Sequence, residues 1–183
     1  MKPLRINRFG LLAGFLASMM SSLAGPVPVV APAFELQRFA DGPAIKLTDY
    51  TGQVVVLDFF AYWCGPCTQS APLIEEQIQK YYASRKGNAH GVPVQVISIN
   101  VEKDEPKKTA AFIKKHGSSL VANDLEGGTL KALGGAALPY VVILDGSMAT
   151  GERPEFKVIY ASPGFPGAGP LRTLVDSVGE GKR

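Results

Sequence analysis

The sequence predicts an α/β sandwich, a central sheet with helices packed on it, and three features lead there. Residues 54–61 are apolar almost without a break, which suits a strand covered on both faces rather than one wetted on one side. From Ala71 onward, Ile74, Ile78, Tyr81 and Tyr82 fall on one face of a helix. Strands and helices then alternate, and a strand pair followed by a closing helix ends the chain.

The elements follow in order. The stretch 87–91, with a glycine at each end, breaks the first helix. Residues 92–99 form a second strand, 140–145 a third and 156–160 a fourth. Between the second and third lie two helical segments. One opens at 104–106 and carries Phe112 and Ile113; the other covers about 129–133. In the last helix Pro170 suits the first turn, Leu171, Leu174, Val175 and Val178 make the apolar stripe, and Gly179 ends it.

Both ends of the chain read as accessory segments. Lys2, Arg5 and Arg8 precede an uncharged run over 9–24 that closes on Ser22, Leu23 and Ala24, the pattern of a secretory signal peptide over 1–24. Sixteen uncharged residues, several of them Ser and Gly, fall short of the roughly 20 apolar ones a bilayer span needs. Left uncleaved, the segment would act as a membrane anchor. Removing it takes three of the 19 basic residues and none of the 16 acidic ones, leaving the charges balanced. That balance removes any compositional case for binding nucleic acid. Residues 25–33 read as an extended lead-in, 34–179 as one domain with a single core, and 180–183 as a tail.

The chemistry lies in Cys64-Gly65-Pro66-Cys67, whose cysteines are the only two in the chain. A zinc site needs about four donors, and His90 and His116 are the only histidines available. The spacing therefore reads as a dithiol that cycles to a disulfide, with no metal assigned. A bond between residues three apart closes too small a ring to stabilise much. At the mouth of a helix, unpaired N–H groups and the positive dipole end stabilise a thiolate on Cys64, lowering its pKa from about 8.5 to as little as roughly 3.5–7.5. Cys64 is the expected nucleophile and Cys67, one turn further in, the resolving thiol. Gly65 lets a substrate backbone approach, and Pro66 fills a first-turn position.

The segment Phe59-Phe60-Ala61-Tyr62-Trp63-Cys64-Gly65-Pro66-Cys67 resembles the active-site segment of the thioredoxin superfamily, and Leu138-Pro139-Tyr140 resembles its proline loop. Phe34-Glu35-Leu36 and residues 46–59 are similar to the opening of the TlpA/ResA-like exported branch, as is a helical insertion between Asn100 and Pro139. The resemblance implies a thioredoxin-like three-layer sandwich: a central mixed sheet flanked by helices, with an N-terminal extension and that insertion. It implies a cis peptide at Leu138-Pro139, with the Leu138 backbone free to pair with an extended substrate by strand addition. It also implies that Asp58, the one acid in the apolar strand, is the buried proton acceptor for Cys67; burial should raise its pKa.

Two departures from the pattern are visible. The strand matching the one that carries a lysine in cytosolic thioredoxins reads Ser98-Ile99-Asn100, and Ser70 replaces the glutamate of the branch's Glu-x-Pro pattern, although Pro72 is retained and should kink its helix. Trp63 and Tyr62 border the nucleophile as either a substrate-contacting cover or an edge of the core. His116, before Gly117, suits a helix C-terminus. The charged run 102–108 reads as the solvated start of a helix.

The expected function is an exported thiol-disulfide oxidoreductase, periplasmic or otherwise extracytoplasmic, that reduces protein disulfides. Cys64, Cys67 and Asp58 would act in catalysis, and Trp63, Gly65, Pro66, Leu138 and Pro139 would bind substrate. It would need no cofactor beyond the Cys64–Cys67 disulfide, would work as a monomer, and would be recharged by a membrane thiol-electron donor. A copper-binding chaperone and a peroxiredoxin-like peroxidase are the alternatives. The first needs a well-placed histidine, and the second usually has threonine where Ala61 stands.

Overall fold

The computed structural model of the protein describes residues 26–181; the expected signal peptide and the last two residues of the tail lie outside the described residues. Among the described residues, seven strands form one mixed sheet: β1 (Glu35–Arg38), β2 (Ile45–Lys46), β3 (Val54–Phe60), β4 (Val94–Asn100), β5 (Val121–Asn123), β6 (Tyr140–Asp145) and β7 (Lys157–Pro163). Their order is β2-β1-β5-β4-β3-β6-β7. The apolar run forms β3 near the middle, parallel to β4 and antiparallel to β6. Every residue of β3 is buried, as its composition requires.

Side chains alternate along β3, so one strand serves two cores. Val55, Leu57 and Phe59 pack with Ile97, Ile99, Val142 and Leu144 on one face. That face is covered by a 3₁₀ turn (Leu47–Tyr50), by α4 (Gly128–Ala132) and by part of the lead-in. Val54 and Val56 face the other way, against Ile74, Ile78 and Tyr82 of the first helix and Leu171 and Val175 of α5 (Ala168–Ser177). A third cluster joins Phe60, both cysteines and Ala71 to Phe112 of α3 (Pro106–His116). Burying each such Leu, Ile or Phe side chain stabilises the fold by roughly 1.5–3 kcal/mol.

The first helix runs as α1 (Gly65–Ile74), a π-helical stretch (Glu75–Lys80) and α2 (Tyr81–Arg85). Pro72 removes one backbone donor, yet the helix continues: the Glu75 N–H bonds both the Ala71 and Pro72 carbonyls, and the π-helical stretch follows. The expected kink site is thus the beginning of a widened turn. The fourth strand is Lys157–Pro163 rather than 156–160, because Phe156 turns into the core and β6 pairs as far as Pro163. The described part of the lead-in, residues 26–33, precedes β1. It also bonds to the rim of β7, where the Ala31 N–H donates to the Phe156 carbonyl at 2.8 Å and the Val158 N–H to the Val29 carbonyl at 3.0 Å.

Candidate active site

β3 delivers the chain to a short turn in which the Cys64 N–H bonds the Ala61 carbonyl at 3.1 Å. Cys64 is the N-cap of α1, extended where the helix begins, and Pro66 occupies the first turn. The Cys64 Sγ accepts the Cys67 N–H at 3.2 Å, which satisfies a donor that every helix start leaves open. The two sulfurs are bonded, S–S 2.00 Å, with Cα atoms 5.2 Å apart. Both cysteines are buried, but only Cys64 lines the adjoining groove. The N–H that now meets the disulfide would meet a thiolate after reduction, together with the positive end of the dipole.

That groove has a volume of about 430 Å³ and brings together residues far apart in the chain. Trp63, Cys64, Gly65 and Pro66 form one side, Leu138 another, and Val101, Leu130, Ala136 and Ala137 complete it. Pro139 follows Leu138 through a cis peptide bond, and its carbonyl accepts the Gly164 N–H at 2.8 Å, fixing the loop to the end of β7. Of the predicted substrate-binding residues, Trp63, Gly65, Pro66 and Leu138 therefore line the groove, whereas Pro139, the next residue after Leu138, is not part of the lining.

Asp58 lies elsewhere, under the first helix. Strand alternation puts it on the face of Val56 and Phe60, the face that packs against α1 and the cysteines. It is 1% exposed, and its Oδ1 finds no hydrogen-bond partner among the described residues. Burial pushes its carboxyl up from 3.8 to about 7. Its register neighbours are Ser98 and Val141, neither of which supplies a cation. Ser70 is buried, and its hydroxyl donates to the Cys67 carbonyl at 3.5 Å.

Two members of the charged run reach the site. Trp63 is 59% exposed, and its indole N–H donates to the Glu102 carboxylate. The Lys108 ammonium lies 5.4 Å from the centre of the Tyr62 ring. The Asp104 N–H and the Trp63 indole hold the Glu102 carboxyl below its usual range. Reading 102–108 as a solvated helix start misses these contacts, because only the parallel pairing of β3 with β4 carries residue 102 alongside residue 63. His116 packs its ring 4.4 Å from that of Phe112, and burial lowers its pKa. It is not part of the groove lining. Among the described residues, no group of three or more His, Cys, Asp or Glu is placed to hold a metal ion.

Residues 28–148 match the Redoxin family. The chain is 31% identical over 117 residues to the thiol-disulfide oxidoreductase ResA of Geobacillus thermodenitrificans, covering 63% of this chain and 61% of that one. It is 38% identical over 82 residues to the chloroplastic F-type thioredoxin of Pisum sativum, covering 44% of each. The chain thus spans about half the length of these relatives. Among solved structures, a thiol:disulfide interchange protein of the thioredoxin family from Chlorobium tepidum superposes with a TM-score of 0.64 at 21% identity, over 85% of this chain and 99% of that one. StoA from Bacillus subtilis gives 0.60 at 18% identity, over 80% and 98%. Both are likenesses of fold.

Proposed function

Because this chain belongs to the Redoxin family, we propose that it is a TlpA/ResA-like thiol-disulfide oxidoreductase acting on protein disulfides, a reading that its similarity to ResA supports. The observation that carries this reading is the Cys64–Cys67 bond at a helix start, with the outer cysteine opening on an apolar groove.

In the reducing direction, the Cys64 thiolate attacks one sulfur of a substrate disulfide and expels the other as a thiolate. A Cys64–substrate bond forms as the substrate bond breaks. Cys67 then loses its proton to Asp58 and attacks the Cys64 Sγ, closing the internal disulfide and releasing the second substrate thiol. Two electrons pass from the protein dithiol to the substrate. The protonated Asp58 returns its proton to the thiols being released. An acceptor with a pKa of about 7 is well matched to moving a thiol proton near neutral pH.

Gly65-Pro66, the dipeptide that resembles thioredoxin's, supports reduction as the working direction. The Leu138 backbone takes an extended substrate by strand addition beside the sulfurs. No bound cofactor is required, and the protein works as a monomer. Its charged, apolar and small-residue leader sequence supports export to an extracytoplasmic space, where a membrane thiol-electron donor would reduce the disulfide after each cycle. No described helix is long and apolar enough to cross a membrane.

The test is insulin reduction with dithiothreitol as donor, comparing the wild type with C64S and C67S. Activity is expected to vanish in C64S, and C67S is expected to accumulate a mixed disulfide that dithiothreitol releases. Reduction that survives C64S overturns the mechanism. A redox titration followed by Trp63 fluorescence fixes the direction, and a potential close to the strong oxidants would reverse it.

A further inference from the structure

We propose that the exposed face of α3, carried by Lys107, Lys114 and Lys115, is a docking surface for an acidic segment of the disulfide-bearing substrate, which it steers toward Cys64. The inference rests on the oxidoreductase reading and names a class of partner for the same site.

The face stands out because the rest of the chain is balanced. Outside residues 1–24 there are 16 basic and 16 acidic residues, yet residues 106–123 hold four lysines and no Asp or Glu. All four lysines are exposed. Helix stability accounts for some of them. Lys114 and Lys115 lie in the last turn of α3, where the negative end of the dipole favours a cation. Lys107 and Lys108 lie in the first turn, which contains no acid and where the dipole disfavours a cation. Lys108 is compensated by Glu105 at 3.0 Å. Among the described residues, Lys107, Lys114 and Lys115 make no ion pair. A charge set against its local preference without compensation points to a use outside the helix.

The face adjoins the reacting sulfur. β3 and β4 are parallel and end level, Phe60 beside Asn100, so α1 and α3 start at the same end of the sheet. Phe112 joins α3 to the cluster that holds both cysteines, and Lys108 reaches the Tyr62 ring just before Cys64. Lys114 lies about 10 Å further along the helix than Lys107 and on the same side, since seven residues make nearly two turns. A segment docked on Cys64 and continuing along α3 thus passes cations at both ends of the helix. Neighbouring acids do little to cancel them. Glu102 is bonded to Trp63 and Glu105 to Lys108, which leaves Asp104 alone before the helix. On the adjoining helix Glu75 is buried against Ser119 and Glu76 pairs with Lys80. Between the lysines the exposed residues are Ala110 and Ala111, so the face has no bulky apolar side chain to sink into a lipid surface. What it offers is charge complementarity to an acidic protein segment, which acts chiefly on the rate of encounter.

The experiment uses the pre-reduced full chain and two extended peptides, each with one cysteine disulfide-bonded to thionitrobenzoate and followed by a run of either Asp or Asn. The Cys64 thiolate bonds the peptide sulfur as the thionitrobenzoate thiolate leaves, and the absorbance of the released thiolate gives a second-order rate constant. The Asp peptide is expected to react about tenfold faster at low salt, and its advantage should vanish at about 0.5 M salt. K107Q/K114Q/K115Q should bring the ratio of the two rates close to one. K86Q/R153Q/K157Q, which removes the same charge from other exposed positions, should keep the wild-type ratio. Equal rates for the two peptides in the wild type overturn the proposal, and if phosphatidylglycerol vesicles then bind the wild type but not K107Q/K114Q/K115Q, the face belongs to a lipid surface. An equal loss of preference in both triple variants also overturns it, because net charge is then the cause. A wild type that releases no thionitrobenzoate from either peptide refutes the oxidoreductase reading instead. Docking is then decided by the fluorescence anisotropy of a labelled, cysteine-free Asp peptide titrated with oxidised protein. K107Q/K114Q/K115Q should weaken that binding several-fold, and unchanged binding overturns the proposal.

Discussion

Glu75, buried in the helix that carries the cysteines, accepts hydrogen bonds from both the main-chain N–H of Ser119, at 3.1 Å, and its hydroxyl. Glu75 is 3% exposed. Ser119 follows α3, just past the left-handed Gly117 that ends it. The pair therefore fastens the inserted helix to the active-site helix. S119A removes the hydroxyl and leaves the N–H, so a buried carboxylate loses one of two partners. The expected cost is about 1–2 kcal/mol, read as a lower urea midpoint at constant slope. A midpoint equal to that of the wild type would mean that the fastening carries no stability.

Asp58 predicts an unusual dependence of stability on pH. Folded, its carboxyl keeps its proton up to about pH 7; its ordinary value is 3.8. The native state therefore binds more protons than the unfolded state between those values, so stability falls as pH rises through that window. This contribution is complete below about pH 4, declines toward pH 7 and is level above it. At roughly 1.4 kcal/mol per tenfold change in affinity, the whole effect approaches about 4 kcal/mol. D58N cannot ionise and should flatten the window, so the oxidised variant gains on the wild type as pH rises from 4 to 8. Parallel urea titrations at one-unit pH intervals measure the difference. A constant difference would show that Asp58 titrates alike in both states.

The same acid should leave a kinetic mark. If Asp58 takes the Cys67 proton, the rate of internal disulfide closure carries an inflection near pH 7, rising as the carboxyl ionises. In D58N that inflection should vanish and closure should slow. Stopped-flow decay of a preformed Cys64 mixed disulfide, sampled from pH 5 to 9, isolates this step. An inflection that persists in D58N would assign it to another group.

What was legible in the sequence and what was not divide along physical lines. Residues 54–61 and 140–145 announced their strands because burial on both faces demands unbroken apolar runs, and β6 was located to the residue. The cysteines and the Leu138-Pro139 loop are contiguous motifs, readable without the fold. The strands β1, β2 and β5 went unassigned because four, two and three residues are too few to show a period. Glu102 and Glu75 stayed hidden for another reason. Their partners, Trp63 and Ser119, lie 39 and 44 positions away, and nothing local distinguishes either glutamate from a solvated one. Asp58 was the intermediate case: an acid inside an apolar run signals burial, but its environment depends on which face the pleat gives it.

Gly135 supplies the last prediction, because it holds the groove open from behind. A Cβ built there would lie 2.2 Å from Leu130 Cδ1, 2.9 Å from Leu130 Cγ and 3.0 Å from Tyr140 Cδ1. Tyr140 has little freedom to retreat, since it is buried and its hydroxyl bonds the Leu133 carbonyl at 3.0 Å. Leu130 must therefore move, and it lines the groove. G135A should cost about 1–3 kcal/mol, the usual range for overpacking, and should raise the half-saturation concentration for protein disulfides several-fold. Shortening the displaced side chain separates this cause from others. In the double variant G135A/L130A the clash with Leu130 is gone, so its stability loss should be smaller than the two single losses combined, by at least about 0.5 kcal/mol. Simple additivity in the urea-denaturation cycle would show that the missing Cβ matters for backbone freedom rather than for the space that Leu130 fills.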